Sequence, residues 1–241
     1  MLMLAVERQN NVLDYLKKHK SATIKELAAA VYASEASVRR DVAELEAQGH
    51  AERIYGGVLL AKHKNSVVPV GLRDIANAPG KELAAEKAAQ LVKDGDTIIM
   101  DASTTVFRIC HYLKDRKHLK IITNNIRICQ EFAQNEGIQV YCTGGAFVPS
   151  GDCFLGNYAE IFIGSIFADV LFFSSQGISA QGVITDVGEQ EISMRKAMLR
   201  QAKKRYFVCD GSKYGIVKPF VLCTKDDVDA VISDEQMEFV K

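Results

Sequence analysis

The stretch from Thr23 to Gly57 constrains the fold more than any other part of the chain, because capping residues, apolar spacing and glycines agree along it. Thr23 stands three residues before Glu26, a capping box that starts a helix. Ile24, Leu27, Ala28 and Val31 fall on one face of that helix. Ser34 caps a second helix, and Gly49 is the residue expected just past its end. At about 100° per residue, Val38, Val42 and Leu45 of the second helix share a side and should face a core. The other side carries Ala36, Ser37, Arg40, Ala43 and Ala47, with Arg39 on a flank and Glu44 also outward. Small side chains around an arginine and a serine let a helix lie close in the major groove of duplex DNA, where its donors reach phosphates or base edges. Glu44 would repel phosphate, so contact concentrates in the N-terminal half. Arg53-Ile54-Tyr55 then run into Gly56-Gly57, read as a tight turn at a hairpin tip that only glycines accept cheaply.

This stretch resembles the N-terminal winged helix of the DeoR family of bacterial transcription regulators. The resemblance rests on the opening Glu7-Arg8, the run Glu26-Leu27-Ala28, the series Ser34, Ser37-Val38-Arg39-Arg40-Asp41 with Leu45-Glu46, and Arg53 followed by Tyr55-Gly56-Gly57. The DNA-binding set it implies, together with the helix-face reading, is Ser34, Ala36, Ser37, Arg39, Arg40, Arg53, Tyr55 and Gly56. The competing reading is a three-helix module that binds protein instead of DNA.

Residues 1–60 hold eight basic and eight acidic side chains, and the whole chain of 241 residues is formally neutral. Non-specific attraction to DNA is therefore weak, and affinity must come from placed contacts doubled by a dimer or higher homo-oligomer. Lys62 and Lys64 add a little positive charge beyond the wing. With 48% hydrophobic and 25% charged residues the chain can bury a sizeable core in two domains. No apolar run approaches the roughly 18–20 residues that span a membrane, and the first eight residues reach charge too soon for a signal peptide. Six cysteines, at 110, 129, 142, 153, 209 and 223, show no C-x-x-C pairing and mostly sit in apolar runs, as expected in a reducing compartment. A cytoplasmic location is the expectation.

The expected organisation is a winged helix-turn-helix domain over 1–60, a linker over 61–80 containing Pro69 and Pro79, and an α/β domain over 81–241. The first domain opens with a helix over 5–19 that supplies Val6, Val12, Leu13 and Leu16 to its core. From Lys81 helices alternate with apolar strands: a helix over Lys81–Val92, then strands at Thr97–Met100, Lys120–Thr123, Ile138–Thr143, Val170–Phe173, Arg205–Cys209 and Ala230–Ser233. Between them come helices at Val106–Leu113, from Thr123 to about Glu136, at Tyr158–Phe167 and at Glu189–Ala202, with a looser region before Gly156. This alternation predicts a mostly parallel sheet covered on both faces.

Ligands of such sheets bind at the carboxyl ends of the strands. There the sequence offers Asp101, Ser103, Thr104 and Thr105; Thr123, Asn124 and Asn125; Gly144-Gly145; Ser174-Ser175-Gln176-Gly177; and Asp210-Gly211-Ser212-Lys213. Each alone is ordinary strand-to-helix capping. Together, five loops of hydroxyls, amides and glycines with one lysine favour a small phosphorylated polyhydroxy ligand. Asp101 would accept from a sugar hydroxyl, and Lys213 would supply charge to a phosphate. The candidate ligand set is Asp101, Ser103, Thr104, Thr105, Thr123, Asn124, Gly144, Gly145, Gln176, Asp210 and Lys213.

This half is similar to the C-terminal effector domain of the same family, whose fold is like that of ribose-5-phosphate isomerase. The matching residues are Asp94-Gly95-Asp96-Thr97, Asp101 with Thr104-Thr105, Thr123-Asn124, Gly144-Gly145, Gly156, Gly182 with Thr185, Ala197-Met198, Asp210 with Ser212-Lys213 and Gly215, and Ile232 with Asp234. Ser103 stands where the family usually has glycine, and Gln176 lies where relatives often carry aspartate. The resemblance implies a transcription regulator, most often a repressor, of carbohydrate genes, which binds a duplex operator and is controlled by a sugar phosphate. The alternative is a sugar-phosphate isomerase-like enzyme with a fused winged helix, using a base chosen from Asp101, Asp186, Glu189, Asp210 or Lys213. Ser174-Ser175-Gln176-Gly177 lacks the paired aspartates such isomerases carry, so no catalytic residue is assigned. The histidines at 19, 50, 63, 111 and 118 lie outside the strand-end loops, with His111 and His118 read as solvated. No metal-ligand spacing is present, and no cofactor is expected.

Overall fold

The computed structural model describes residues 5–47, 50–61 and 70–240. Gly49 lies outside the described residues, as do residues 62–69 of the expected linker, Lys62, His63, Lys64 and Pro69 among them. The chain divides into two compact units, Met1–Ala76 and Asn77–Lys241.

The first unit contains α1 (Ala5–His19), β1 (Ser21–Ala22), α2 (Ile24–Ala30), α3 (Glu35–Ala47), β2 (Ala51–Ile54), β3 (Gly57–Leu60) and α4 (Val70–Ile75). The Thr23 capping box forms, with the hydroxyl accepting from Glu26 N and the Glu26 carboxylate accepting from Thr23 N at 2.7 Å. Val12 and Leu16 from α1, Leu27 and Val31 around α2, and Val38, Val42 and Leu45 from α3 close one core. Val6, expected in that core, is exposed instead. β1 pairs antiparallel with β3, and β3 with β2, so the wing is a three-stranded sheet.

Its tip differs from the sequence reading. Ile54 pairs with Gly57, which makes Tyr55-Gly56 the turn, and Gly57 is a buried strand residue. Only Gly56 takes a left-handed φ, of +95°. The α2–α3 connection also holds a left-handed residue, Tyr32, at φ +51° with its ring in solvent.

The second unit runs α5 (Ala78–Ala89), β4 (Thr97–Met100), α6 (Thr104–Leu113), β5 (Leu119–Thr123), α7 (Ile126–Glu131), β6 (Ile138–Cys142), β7 (Ala146–Val148), β8 (Cys153–Leu155), α8 (Asn157–Gly164), β9 (Ala168–Phe173), β10 (Gly177–Ile178), β11 (Val183–Asp186), α9 (Glu189–Arg200), β12 (Ala202–Val208), β13 (Phe220–Thr224) and β14 (Ala230–Ile232). The main sheet has the order β14-β12-β9-β4-β5-β6, and every pairing in it is parallel. Alternation along each strand feeds two cores. Ile98 and Met100 pack with Val106, Ile109 and Leu113 of α6 and alanines of α5, while Ile99, Leu171 and Phe173 pack toward α8 and α9.

Several boundaries move. The helix expected from Lys81 starts at Ala78, with Pro79 in its first turn. The helix expected to reach Glu136 stops at Glu131, and the helix expected over Tyr158–Phe167 is Asn157–Gly164. The looser region before Gly156 holds the β7–β8 hairpin. A small antiparallel sheet, β10-β11-β13, was not expected at all; it adds Ile178, Ile184 and Leu222 to the core on the α9 side.

Candidate functional site

In the first unit, α3 exposes Ala36, Arg39 and Arg40 to solvent and Ser37 partly so, as its angular layout requires. Ser34 Oγ accepts from Ser37 N at 3.2 Å and lies 3.0 Å from Ser37 Oγ, so the two serines form the cap of this helix. Arg39 reaches Glu35 at 3.3 Å in an exposed i,i+4 pair, which is easily exchanged for phosphate. Arg40 contacts no carboxylate among the described residues; its Nε lies 3.4 Å from Ala36 O. Tyr55 is 64% exposed at the wing tip beside Gly56.

The back of α3 is held by charge as well as by apolar contacts. Asp41 is buried and takes a two-point bond from Arg8, at 2.6 Å to Nε and 3.0 Å to Nη2. Arg8 is thereby held above the ordinary guanidinium pKa, chiefly by its hydrogen bond to Asp41. Two residues noticed only as motif letters are thus one structural pair. Glu44 is exposed, as expected of an outward residue, and it also accepts from Gln9 on α1. Arg53 is tied to Glu46 through both its backbone N (2.8 Å) and Nε (2.6 Å), joining β2 to α3. Backbone and side-chain hydrogen bonds from Arg53 hold the Glu46 carboxyl below its usual range. Any DNA contact by Arg53 would compete with that carboxylate.

In the second unit the topology brings the strand-end loops to one edge. From β4 the chain steps through β5 to β6 in one direction, and from β9 through β12 to β14 in the other. The switch point lies between β4 and β9, the position at which open parallel sheets bind their ligands. Asp101–Thr105 and Ser174–Gly177 are the two loops at that point. Asn124 and Gly144-Gly145 stand on one side of it, and Asp210–Lys213 on the other.

Ser103 caps α6, accepting from Val106 N at 3.2 Å, with Thr104 and Thr105 buried in the first turn. Thr123 is spent on structure: its hydroxyl donates to Met100 O at 2.7 Å and accepts from Asn125 N. Gly145 has φ +107°, and a Cβ there would lie 2.7 Å from Leu155 O, so the loop after β6 admits no larger residue. Gln176 and Lys213 are partly exposed at the rim, and Lys213 has no ion pair among the described residues.

The least expected feature lies at the switch point itself. Arg195 of α9, which sequence reasoning missed, is 7% exposed. Its Nε donates to Asp101 Oδ2 at 2.7 Å and its Nη1 to Asp186 Oδ2 at 2.9 Å. Asp101 also accepts from Ser103 N (3.0 Å) and Ser174 N (3.2 Å), and Asp186 accepts from the Ser175 hydroxyl and Val187 N. Burial opposes charge on the guanidinium, but the pull of Asp101 and Asp186 wins and its pKa is raised. Asp101, expected to accept from a sugar, is therefore already engaged by three donors. The signal for Arg195 was weak: one basic residue on an amphipathic helix is usually solvated.

Other expectations also change. His111 is not merely solvated; its Nδ1 lies 3.6 Å from Glu82, which also bonds Arg108 and Tyr112. No disulfide joins the six cysteines. Among the described residues no cluster of His, Cys, Asp or Glu is arranged to hold a metal, and no helix is long and apolar enough to cross a membrane.

Comparison with known proteins matches both halves. A family model described as the DeoR-like helix-turn-helix domain matches residues 8–64, and one described as the DeoR C terminal sensor domain matches residues 76–235. The chain is 28% identical to the HTH-type transcriptional regulator GolR of Listeria innocua, over 98% of this chain and 92% of that protein. It is 29% identical to the HTH-type transcriptional repressor GlcR of Bacillus subtilis, over 96% and 89%. Among solved structures, ribose 5-phosphate isomerase A of Methanocaldococcus jannaschii aligns with a TM-score of 0.43 at 17% identity, over 57% of this chain and 55% of that one.

Proposed function

We propose, from the premise that this chain belongs to the DeoR family of transcription regulators, that it represses carbohydrate genes and releases or tightens its grip on DNA when a sugar phosphate binds its C-terminal unit. It is a DNA-binding transcription regulator and not an enzyme, and the relatives above are named as a transcriptional regulator and a transcriptional repressor. The observation that supports the DNA reading is α3, which is locked from behind by Arg8–Asp41 while Ala36, Ser37 and Arg40 face solvent. Small residues permit close approach to the major groove, and Arg40 supplies the donor fork.

The effector reading is supported by the strand-end edge at the switch point, where the N-terminus of α6 with Ser103–Thr105, and Lys213 two strands away, supply N–H groups, hydroxyls and a cation suited to a phosphate. Two of the acids nominated for the isomerase alternative, Asp101 and Asp186, are ion-paired to Arg195 and cannot serve as a mobile base. The protein acts in the cytoplasm as a dimer or higher homo-oligomer, because two copies of α3 must meet two half-sites. Selection of bound sequences from a random duplex pool tests this directly. A repeated element whose retention changes with hexose or pentose phosphates is expected; an unrepeated or sequence-independent product would count against the regulator reading.

A further inference from the structure

Two of the six thiols meet each other. Ile138 and Val140 of β6 join Ile128 and Phe132, in and just after α7, in one core. Side chains alternate along a strand, so Cys142 lies on that same face of β6. Cys129 follows Ile128 on α7, and its thiol shares a hydrogen bond with Cys142. β6 is an edge strand of the main sheet, and Cys142 at its end is exposed, whereas Cys129 is half-buried. Burial and the neighbouring Cys142 push the Cys129 thiol up to about 12. Cys110, Cys153, Cys209 and Cys223 are buried. Burial pushes Cys223 up to about 12 and raises Cys110 and Cys209 as well. One thiol open to solvent therefore stands against a second that is screened, and the other four are out of reach.

We infer that Cys129 and Cys142 are a redox pair, in which peroxide oxidises Cys142 and Cys129 resolves it to an intramolecular disulfide that ties α7 to β6. Cys142, as thiolate, attacks one oxygen of hydrogen peroxide. The O–O bond breaks, an S–O bond forms, and hydroxide leaves and takes up a proton as water. The Cys129 sulfur then attacks the sulfenic sulfur and gives up its proton. The S–S bond forms as the S–O bond breaks, and a second water is released. The two thiols lose two electrons and the peroxide gains them. A small dithiol reverses the step by exchange and leaves as a cyclic disulfide. An S–S bond is about 2.05 Å long, so sulfurs already in hydrogen-bond contact have little distance to close. An exposed cysteine beside a resolving partner is the arrangement of a redox sensor, and in a reducing compartment such a bond is transient. The cross-link fastens the last residue of β6, from which Thr143-Gly144-Gly145 continues, to the helix that follows β5.

The test treats the folded full chain with hydrogen peroxide, alkylates the remaining thiols in urea and maps the peptides by mass spectrometry. The parent should lose two of its six thiols, yield a peptide pair linked Cys129–Cys142, and regain both thiols with dithiothreitol. Cys129→Ser should stop at a Cys142 sulfenic acid, which dimedone captures. In Cys142→Ser, Cys129 should react with peroxide more than about tenfold slower than Cys142 does in the parent, because a screened, protonated thiol is a poor nucleophile. Cys142→Ser changes one exposed atom and carries the test if Cys129→Ser does not fold. A parent that keeps all six thiols, that links only between two chains, or whose Cys142 runs on to sulfinic acid while Cys129 stays free overturns the inference. So does a Cys129 that reacts in Cys142→Ser as fast as Cys142 does in the parent.

Discussion

Arg195 and Arg40 are both arginines on amphipathic helices, and burial alone separates their roles. Arg195 neutralises Asp101 and Asp186 in a place that water does not reach. Removing one member of such a group leaves the others charged and uncompensated, at a cost of about 3–5 kcal/mol. Arg195→Ala should therefore lower unfolding stability by that amount in a urea titration, and a loss below about 1 kcal/mol would show that the two aspartates relax without it. Arg40 is exposed, and its substitution should leave stability unchanged. Arg40→Ala should instead weaken binding to a selected operator by about 1–3 kcal/mol, read as a shifted midpoint in a gel-shift titration. Equal affinity in parent and variant would remove Arg40 from the recognition face.

At the scale of elements, the winged-helix unit is joined by two ion pairs between different elements, Arg8–Asp41 from α1 to α3 and Arg53–Glu46 from β2 to α3. Glu46 has its pKa lowered in the folded state from an ordinary 4.5. A depressed carboxyl stabilises the fold above its unfolded value and loses that contribution as pH falls through the folded value. Acid unfolding below about pH 4.5 should therefore be less steep in Glu46→Gln, most visibly at low salt because the pair is half-exposed. Tyr32 offers a test of opposite sign. Its left-handed backbone costs an L-residue about 1–2 kcal/mol, part of which a glycine recovers. Tyr32→Gly should raise the melting temperature, and a lower one would mean that the ring makes up for the strain.

For the whole molecule the decisive quantity is the coupling between ligand and operator. Coupling free energies of about 1–3 kcal/mol correspond to roughly 5–150-fold changes in affinity. Operator titrations with and without the best-binding sugar phosphate should differ by that factor. Reciprocity requires the operator to change sugar-phosphate affinity equally. Sedimentation of the free chain should give a dimer or higher species, with half-sites one helical turn of about 10–10.5 base pairs apart or a multiple of it. A monomer that binds a single half-site would remove the oligomer from the account.

The Thr23–Glu26 capping box, the α3 layout and the six parallel strands were legible in the sequence because each is local: a cap needs a four-residue spacing, a buried strand needs a short apolar run. The strand-end loops were legible for the same reason. Arg8–Asp41, Glu44 facing Gln9 and the Arg195 group were not, because charged partners 33 and 94 residues apart leave no periodicity to read. The β10-β11-β13 sheet escaped because its strands are two to five residues long and pair across intervening elements. The local pattern of the chain determined which segments would be helix, strand and polar loop. Only the tertiary structure decided which acceptors at the common edge were already bonded, as Asp101 is, because hydrogen-bond saturation depends on which distant donors the fold carries into reach.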